Sequence, residues 1–345
     1  MRKLGLSLAA LCLVGLATAV IGWRIFTDYL SAPTSTDRRE PKVIDVPADL
    51  PGRDVAELLL KNGLIDRPGW LAAYLEHFHR APVIKPGEYA LSPNMSPAEI
   101  IDRLVRGGVV THSIVVEPGT TARDVAAKLA EAGLATEAVV LQRVHDAQLA
   151  ARLDLPGTVL EGYLFPDTYA FPKGTPPDEM LGRMVARYRE RMTPELLDAA
   201  RHNDLVEHQL VTMASLLERA PVPARERAQL AAVYRNRLKA GMPLESTASL
   251  GYAVGKSEEQ LTPEDRDSDS PFNTHRHLGL PPSAICSPSL ESLTAAANPA
   301  KIEALYWAPA GENAHVFCAD EECHREALER AGLPPPPPPP KKKRR

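Results

Sequence analysis

From Leu4 to Trp23 the chain runs for 20 residues without a charge, enough at about 1.5 Å per residue to cross a hydrocarbon core of roughly 30 Å. Arg2 and Lys3 precede this run, which predicts an N-terminus on the cytoplasmic side and the remaining chain on the other. Ala17-Thr18-Ala19 has the small-x-small form of a cleavage site, so a removable signal peptide is the alternative. The apolar run continues past that site to Trp23, a residue suited to the membrane interface, and this favours a retained anchor over residues 1–26. Residues 27–42 are polar and carry Pro33 and Pro41, a composition that predicts a flexible tether.

Beyond residue 42 the pattern repeats. Val43-Ile44-Asp45-Val46 reads as a strand, passes Pro51-Gly52 and enters a helix through Arg53-Asp54-Val55-Ala56, which ends near Gly63-Leu64. Seventy residues later Ile114-Val115-Val116, Pro118-Gly119, Arg123-Asp124-Val125-Ala126 and Gly133-Leu134 follow in the same order. Two strand-loop-helix units of one construction are predicted, with Gly63 and Gly133 closing their helices. Between them Gly87 to Leu91 reads as a strand, and Ser96-Pro97 opens a helix with a serine cap and proline in its first turn. Farther on, Leu210, Met213, Ala214 and Leu217 recur at the spacing of one buried helix face over Glu207 to Arg219. A second helix is expected from about Pro223 to Gly241, with Leu230, Val233, Tyr234 and Leu238 inward and Arg235, Arg237 and Lys239 in its last turns. The fold class predicted is α+β.

Composition narrows the possibilities. With 345 residues, 44% apolar and 24% charged, two folded domains plus accessories are expected. The formal charge is −4 although Lys341 to Arg345 are all cationic, so the body is acidic and a nucleic-acid partner is not expected. The run Pro334 to Pro340 and the basic end make residues 333–345 a disordered tail.

Candidate chemistry begins after residue 155. Leu160 to Tyr169 packs three aromatics and two carboxylates into ten residues broken by Gly162 and Pro166. Aromatic faces and carboxylate acceptors are what sugar binding uses, although aromatics beside glycine and proline also serve as core and turn. Glu218 stands at the edge of the apolar stripe of the first long helix. A carboxyl group that loses hydration there would hold a proton near neutral pH, as a general acid must; the competing role is a solvated helix-end residue paired with Arg219 or Arg225. The turn-rich segments 241–247, 270–275 and 279–282 offer polar side chains from irregular backbone. Cys318 and Cys323, five apart, predict a short-range disulfide outside the cytoplasm. Two free thiols, or a zinc site completed by His315 and His324, are the alternatives, and Cys286 is expected to remain a buried thiol.

These pieces together resemble the MltG/YceG-like family of endolytic murein transglycosylases. The resemblance is carried, in family order, by the N-terminal anchor, a LysM-like region over 43–155, and a catalytic region over 156–332. The latter holds LEGYLFPDTY (160–169), MASLLER (213–219), VYRNRLKAGMPLES (233–246), SPFNTH (270–275), GLPPSAI (279–285) and AHVF (314–317). It implies that Glu218 is the single catalytic acid/base. It also implies that Glu161, Tyr163, Asp167, Tyr169, Asn236, Glu245, Asn273 and His315 contact a glycan strand, with no cofactor and no metal. The implied reaction cuts the bond between N-acetylmuramic acid and N-acetylglucosamine without water, leaving a 1,6-anhydro end, close to a bacterial inner membrane. Penicillin-binding synthases are the implied partners.

Two departures stand out. The family's Glu-Lys-Glu-Thr becomes Glu218-Arg219-Ala220-Pro221, and its Leu-Gln-Ser/Thr-Asp-Pro-Thr becomes Leu244-Glu245-Ser246-Thr247-Ala248-Ser249. A carboxylate at 245 keeps open a two-carboxylate hydrolase, which needs the pair about 6.5–9.5 Å apart. The altered segments also keep open a glycan-binding scaffold without catalysis.

Overall fold

The computed structural model describes residues 2–35, 40–47, 49–78 and 84–334. The basic end of the tail, and all of its prolines after Pro334, lie outside the described residues. The chain divides into two compact units, one of residues 1–112 with 170–175, the other of residues 113–169 with 176–345.

In the first unit α1 (Arg2–Ser31) leads to β1 (Lys42–Val46), α2 (Gly52–Lys61), α3 (Pro68–Ala73), a π-helical turn over Tyr74–Phe78, β2 (Gly87–Leu91) and α4 (Pro97–Arg106). β1 and β2 pair antiparallel with Ile44 opposite Tyr89. Period-two burial puts Ile44, Val46, Tyr89 and Leu91 on one face, against Val55 and Leu59 of α2 and Ile100 and Leu104 of α4. α4 starts as its sequence predicts: Ser96 and Glu99 form a reciprocal capping box and Pro97 fills the first turn.

The tether begins later than its composition suggests. Residues 27–31 continue α1, because Tyr29 buries its ring edge-on against Trp70 at 5.5 Å and its hydroxyl donates to the Arg67 carbonyl at 3.1 Å. Thr34 then donates to the Leu64 carbonyl at 2.8 Å and the Ser35 amide to the Pro93 carbonyl at 3.0 Å. Three bonds to backbone carbonyls and a ring pair hold a segment whose polar side chains alone suggested freedom.

The second unit takes up the chain along β3 (Thr111–Val116), then α5 (Ala122–Glu131), α6 (Glu137–Val144), α7 (Ala147–Arg152) and β4 (Asp167–Pro172), with β3 paired to β4. Helices α8 (Pro177–Arg191), α9 (Pro194–His202), α10 (Glu207–Arg219), α11 (Arg227–Ala240), α12 (Thr247–Val254) and α13 (Leu290–Ala297) follow. The hairpin β5 (Tyr306–Pro309) and β6 (His315–Cys318) and helix α14 (Glu321–Arg330) close it.

The two units expected from the 70-residue offset both form, and Gly63 and Gly133 both adopt φ 69° where their helices end, a conformation that costs glycine least. α10 differs from its prediction in burial. Every residue from Leu210 to Leu217 is buried, not one face, because α9, α11, α12 and α13 all pack on it. Its polar side is tolerated since Thr212 donates to the His208 carbonyl and Ser215 to the Thr212 carbonyl. α11 begins at Arg227 after a short 3-10 turn over Ala224–Glu226, later than expected. Cys318 and Cys323 are bonded, joining β6 to α14, so the bridge predicted from spacing and compartment is present and its sulfurs are committed to it. Cys286 is a free, buried thiol.

Candidate active site

Glu218 occupies the last turn of α10, with its side chain only 6% exposed. The apolar stripe predicted beside it is there, but the carboxyl itself meets donors. Arg227 Nη2 approaches Oε1 at 2.9 Å and Nη1 approaches Oε2 at 3.4 Å. The backbone amide and hydroxyl of Ser289 both donate to Oε2, at 2.8 and 2.5 Å. Ser289 is also the N-cap of α13, accepting from the Ser292 amide, so the carboxylate sits on a helix N-terminus as well as a guanidinium. Its cationic partner is thus Arg227, not the Arg219 or Arg225 that sequence proximity suggests. Removing either member of so buried a pair would leave a charge uncompensated, at about 3–5 kcal/mol.

Glu161 lies in the loop between α7 and β4 and is buried. The Ala122 amide, first in α5, donates to both its oxygens at 3.0 and 3.2 Å, and the Tyr252 hydroxyl donates to Oε2 at 3.2 Å. Burial pushes its carboxyl up to about 7, against the opposing pull of these donors. Gly162 makes this approach possible: at φ 88° a Cβ there would stand 2.3 Å from Ala284 Cβ and 2.9 Å from Val211 Cγ1. Burial also raises the Cys286 thiol, and the carboxylates of Glu161 and Glu218 both add to the rise, so both acids act on one buried sulfur.

A cavity of about 490 Å³ opens beside Glu161, bordered by Arg123, Asp124, Arg219, Tyr252, Lys256 and Ile285 among others. Glu218 is not in its wall, although its neighbour Arg219 is.

The remaining candidates divide by what their polar atoms do. Tyr163 is fully buried, its hydroxyl on His208 Nδ1 at 2.9 Å and its ring edge-on to Tyr188. Tyr169 is buried and donates to the Phe165 carbonyl at 2.6 Å. Asn273 is fully buried; its amide donates to the Arg266 and Ser268 carbonyls and its oxygen accepts from the His275 amide. Asn236 donates to the carbonyls of Ile302 and Ala304 at 3.0 and 2.9 Å. All four are expected to contact the glycan strand; in the fold their polar groups bond within the protein and tie down the loops that carry them. Asp167 pairs with Arg187 at 2.6 Å, which holds its carboxyl below the usual range together with the Thr168 amide, the larger influence. His315, in β6, bonds Glu226 at 2.8 Å with both side chains largely buried.

Glu245 adopts φ 56° and pairs with Arg237 at 2.9 Å. Arg237, expected in the last turns of its helix, is buried there and donates to the Leu305 and Pro243 carbonyls besides. Glu245 and Glu218 share no hydrogen-bond or ion-pair partner among the described residues. Sequence reasoning missed Arg227, Ser289, Tyr252 and Glu226. Ser289 alone carried a local signal, a serine three residues before another at the start of the helical run 290–297.

A sequence model of the YceG-like family matches residues 44–330. A Bacillus subtilis protein named endolytic murein transglycosylase is 28% identical over 325 residues, covering 89% of both chains. A Streptococcus pneumoniae protein of the same name is 25% identical over 338 residues, 89% of this chain and 61% of that one. The crystal structure of a YceG-like protein from Listeria monocytogenes superposes with a TM-score of 0.56 at 26% identity, over 84% of this chain and 99% of that one.

Proposed function

The chain belongs to the YceG-like family, and we propose from this and from its site that it is an endolytic murein transglycosylase with Glu218 as its acid/base. The observation that carries the reading is the setting of Glu218. A single buried carboxyl is seated on Ser289 and Arg227, in a chain 28% identical to a protein of that name.

The chemistry needs one carboxyl group. Protonated Glu218 gives its proton to the oxygen leaving between N-acetylmuramic acid and N-acetylglucosamine. Arg227 and the two Ser289 donors stabilise the carboxylate that this leaves. The carboxylate then takes the proton of the muramic 6-hydroxyl as that oxygen closes on C1, giving a 1,6-anhydro end. The nucleophile is tethered in the substrate, and its effective molarity replaces the water that a second carboxylate would activate. The hydrolase reading would require Glu245 to act with Glu218, and the pairing of Glu245 with Arg237 gives it separate work.

Residues Leu13–Ser31 are long and apolar enough to cross a membrane, and Leu13, Leu16, Val20 and Trp23 are exposed along α1. Lipid is the solvent that suits such a face, so α1 anchors the chain in a bacterial inner membrane with the folded units outside. The order β1-α2-α3-β2 supports a LysM-like reading of the first unit, and nascent glycan strands beside penicillin-binding synthases are the substrate within reach.

Glu218→Gln keeps the shape and the acceptor for Ser289 but cannot donate the proton. Cleavage of isolated murein should fall at least 100-fold, with the circular dichroism spectrum unchanged. Mass spectrometry of the wild-type products should find anhydro ends; reducing ends would refute the transglycosylase.

A further inference from the structure

The cavity beside Glu161 is large for a structural void and falls in the size range of ligand sites. Its charges are unevenly matched. Asp124 is bonded to Thr121 within the cap of α5, and Lys256 to Asp265 at 2.8 and 2.9 Å. The two arginines on its wall have no such partner. Among the described residues Arg219 reaches only the Gly119 carbonyl, at 3.4 Å, and Arg123 makes no hydrogen bond or ion pair. Arg123 and Tyr252 both border the cavity, and the charge of Arg123 pulls the Tyr252 phenol down against the larger upward effect of its burial. Of the two acids on the wall, Asp124 is taken up by the α5 cap, and Glu161 is held by the Ala122 amide and the Tyr252 hydroxyl.

We infer that this cavity seats a carboxylate carried by the glycan strand, with Arg123 and Arg219 as its grip. The inference rests on the murein reading and adds to it a second recognition element, beside the acid/base and separate from it. Arg219 follows Glu218 in the last turn of α10, so the helix end that carries the acid/base also lends a residue to the cavity wall. The proton that burial keeps on Glu161 near neutral pH removes the negative charge that would otherwise oppose such a guest. Guanidinium is the fitting donor, because its planar fork meets a carboxylate bidentately. Two carboxylates are available on murein: those of the peptide, and the lactyl group of muramic acid where the peptide is missing.

The test uses the full chain in detergent on a Glu218→Gln background, so that bound strands stay uncut. Binding is measured for disaccharide-peptide fragments, for peptide-free fragments with a free lactyl carboxylate, and for both with their carboxylates amidated. Arg123→Gln and Arg219→Gln should each weaken binding of a carboxylate-bearing fragment about tenfold, while Arg123→Lys and Arg219→Lys lose less. Amidated fragments should bind all variants alike. A loss confined to peptide-bearing fragments assigns the peptide as the source, and a loss confined to peptide-free ones assigns the lactyl group. Equal loss on amidated fragments, or no loss on any, overturns the inference. Wild-type enzyme that cleaves no strand at all would instead overturn the proposed function.

Discussion

The two repeats, each a strand, a run of helices and a closing strand, are built alike and used differently. In each, a tyrosine of the closing strand is buried and its hydroxyl donates at 2.6 Å to the carbonyl four residues earlier, Tyr89 to Lys85 and Tyr169 to Phe165. In each, Arg-Asp-Val-Ala opens the first helix. The difference is at that helix's N-terminus. α2 is preceded by Pro51 and has no side-chain cap, whereas α5 has a reciprocal Thr121–Asp124 box and a buried glutamate on its first amide. The glutamate comes from the stretch after α7, which leads into β4. Repetition supplies the scaffold, and what sets the second unit apart is a loop that lowers a carboxyl onto a helix start. A structural module thereby acquires a group that titrates in the physiological range.

The largest effect separating the two units should be pH dependence. Glu161 titrates at about 7 in the fold against an ordinary 4.5, so between these values the folded chain holds a proton that the unfolded chain has released. Stability from this group is therefore full below about pH 4.5 and lost as pH rises through 7, by up to about 3 kcal/mol. Urea unfolding of the soluble chain from residue 27 at pH 5 and pH 8 should show this decline, and Glu161→Gln should abolish most of it. An unchanged slope in the variant would place the titrating group elsewhere.

Much of this was legible in the sequence, for reasons that separate local from distant physics. The repeat, the capping box at Ser96, the glycines at 63 and 133 and the bonded Cys318 and Cys323 are fixed by residues near each other in the chain. Glu218 is singled out by motif order, but its surroundings are not, because Ser289 lies 71 positions away and Arg227 is one of several arginines in reach. Tyr163, Tyr169, Asn236 and Asn273 have the side chains of a sugar site, and the residue pattern does not reveal that His208 engages the first and backbone carbonyls the other three. The ends of α1 fail for the same reason. Trp70, which holds Tyr29, follows it by 41 positions.

A smaller difference between the units lies in the cap itself. Thr121 accepts from the Asp124 amide at 3.1 Å, and Asp124 accepts from the Thr121 amide at 2.9 Å. Thr121→Ala should cost about 1 kcal/mol, and because the same turn presents Ala122 to Glu161, faster amide exchange should spread from α5 to the 160–164 loop. Pro51→Ala removes no cap from α2 and should leave exchange there within experimental error. Equal responses would mean that the box contributes nothing beyond helix propensity.

The smallest effect should be the matched one. Tyr89→Phe and Tyr169→Phe each delete one hydroxyl from a 2.6 Å bond to a carbonyl four residues back, and each leaves the ring's burial intact. The net worth of such a bond is about 1 kcal/mol, so both variants should lose about that much in urea unfolding, with Tyr89 losing slightly more because its hydroxyl also reaches the Leu104 carbonyl at 3.2 Å. Neither should change murein binding, since neither hydroxyl is free for a sugar. If Tyr169→Phe instead weakened binding severalfold at unchanged stability while Tyr89→Phe did not, Tyr169 would take its expected place among the substrate contacts, and the equivalence of the two units would end at their sheets.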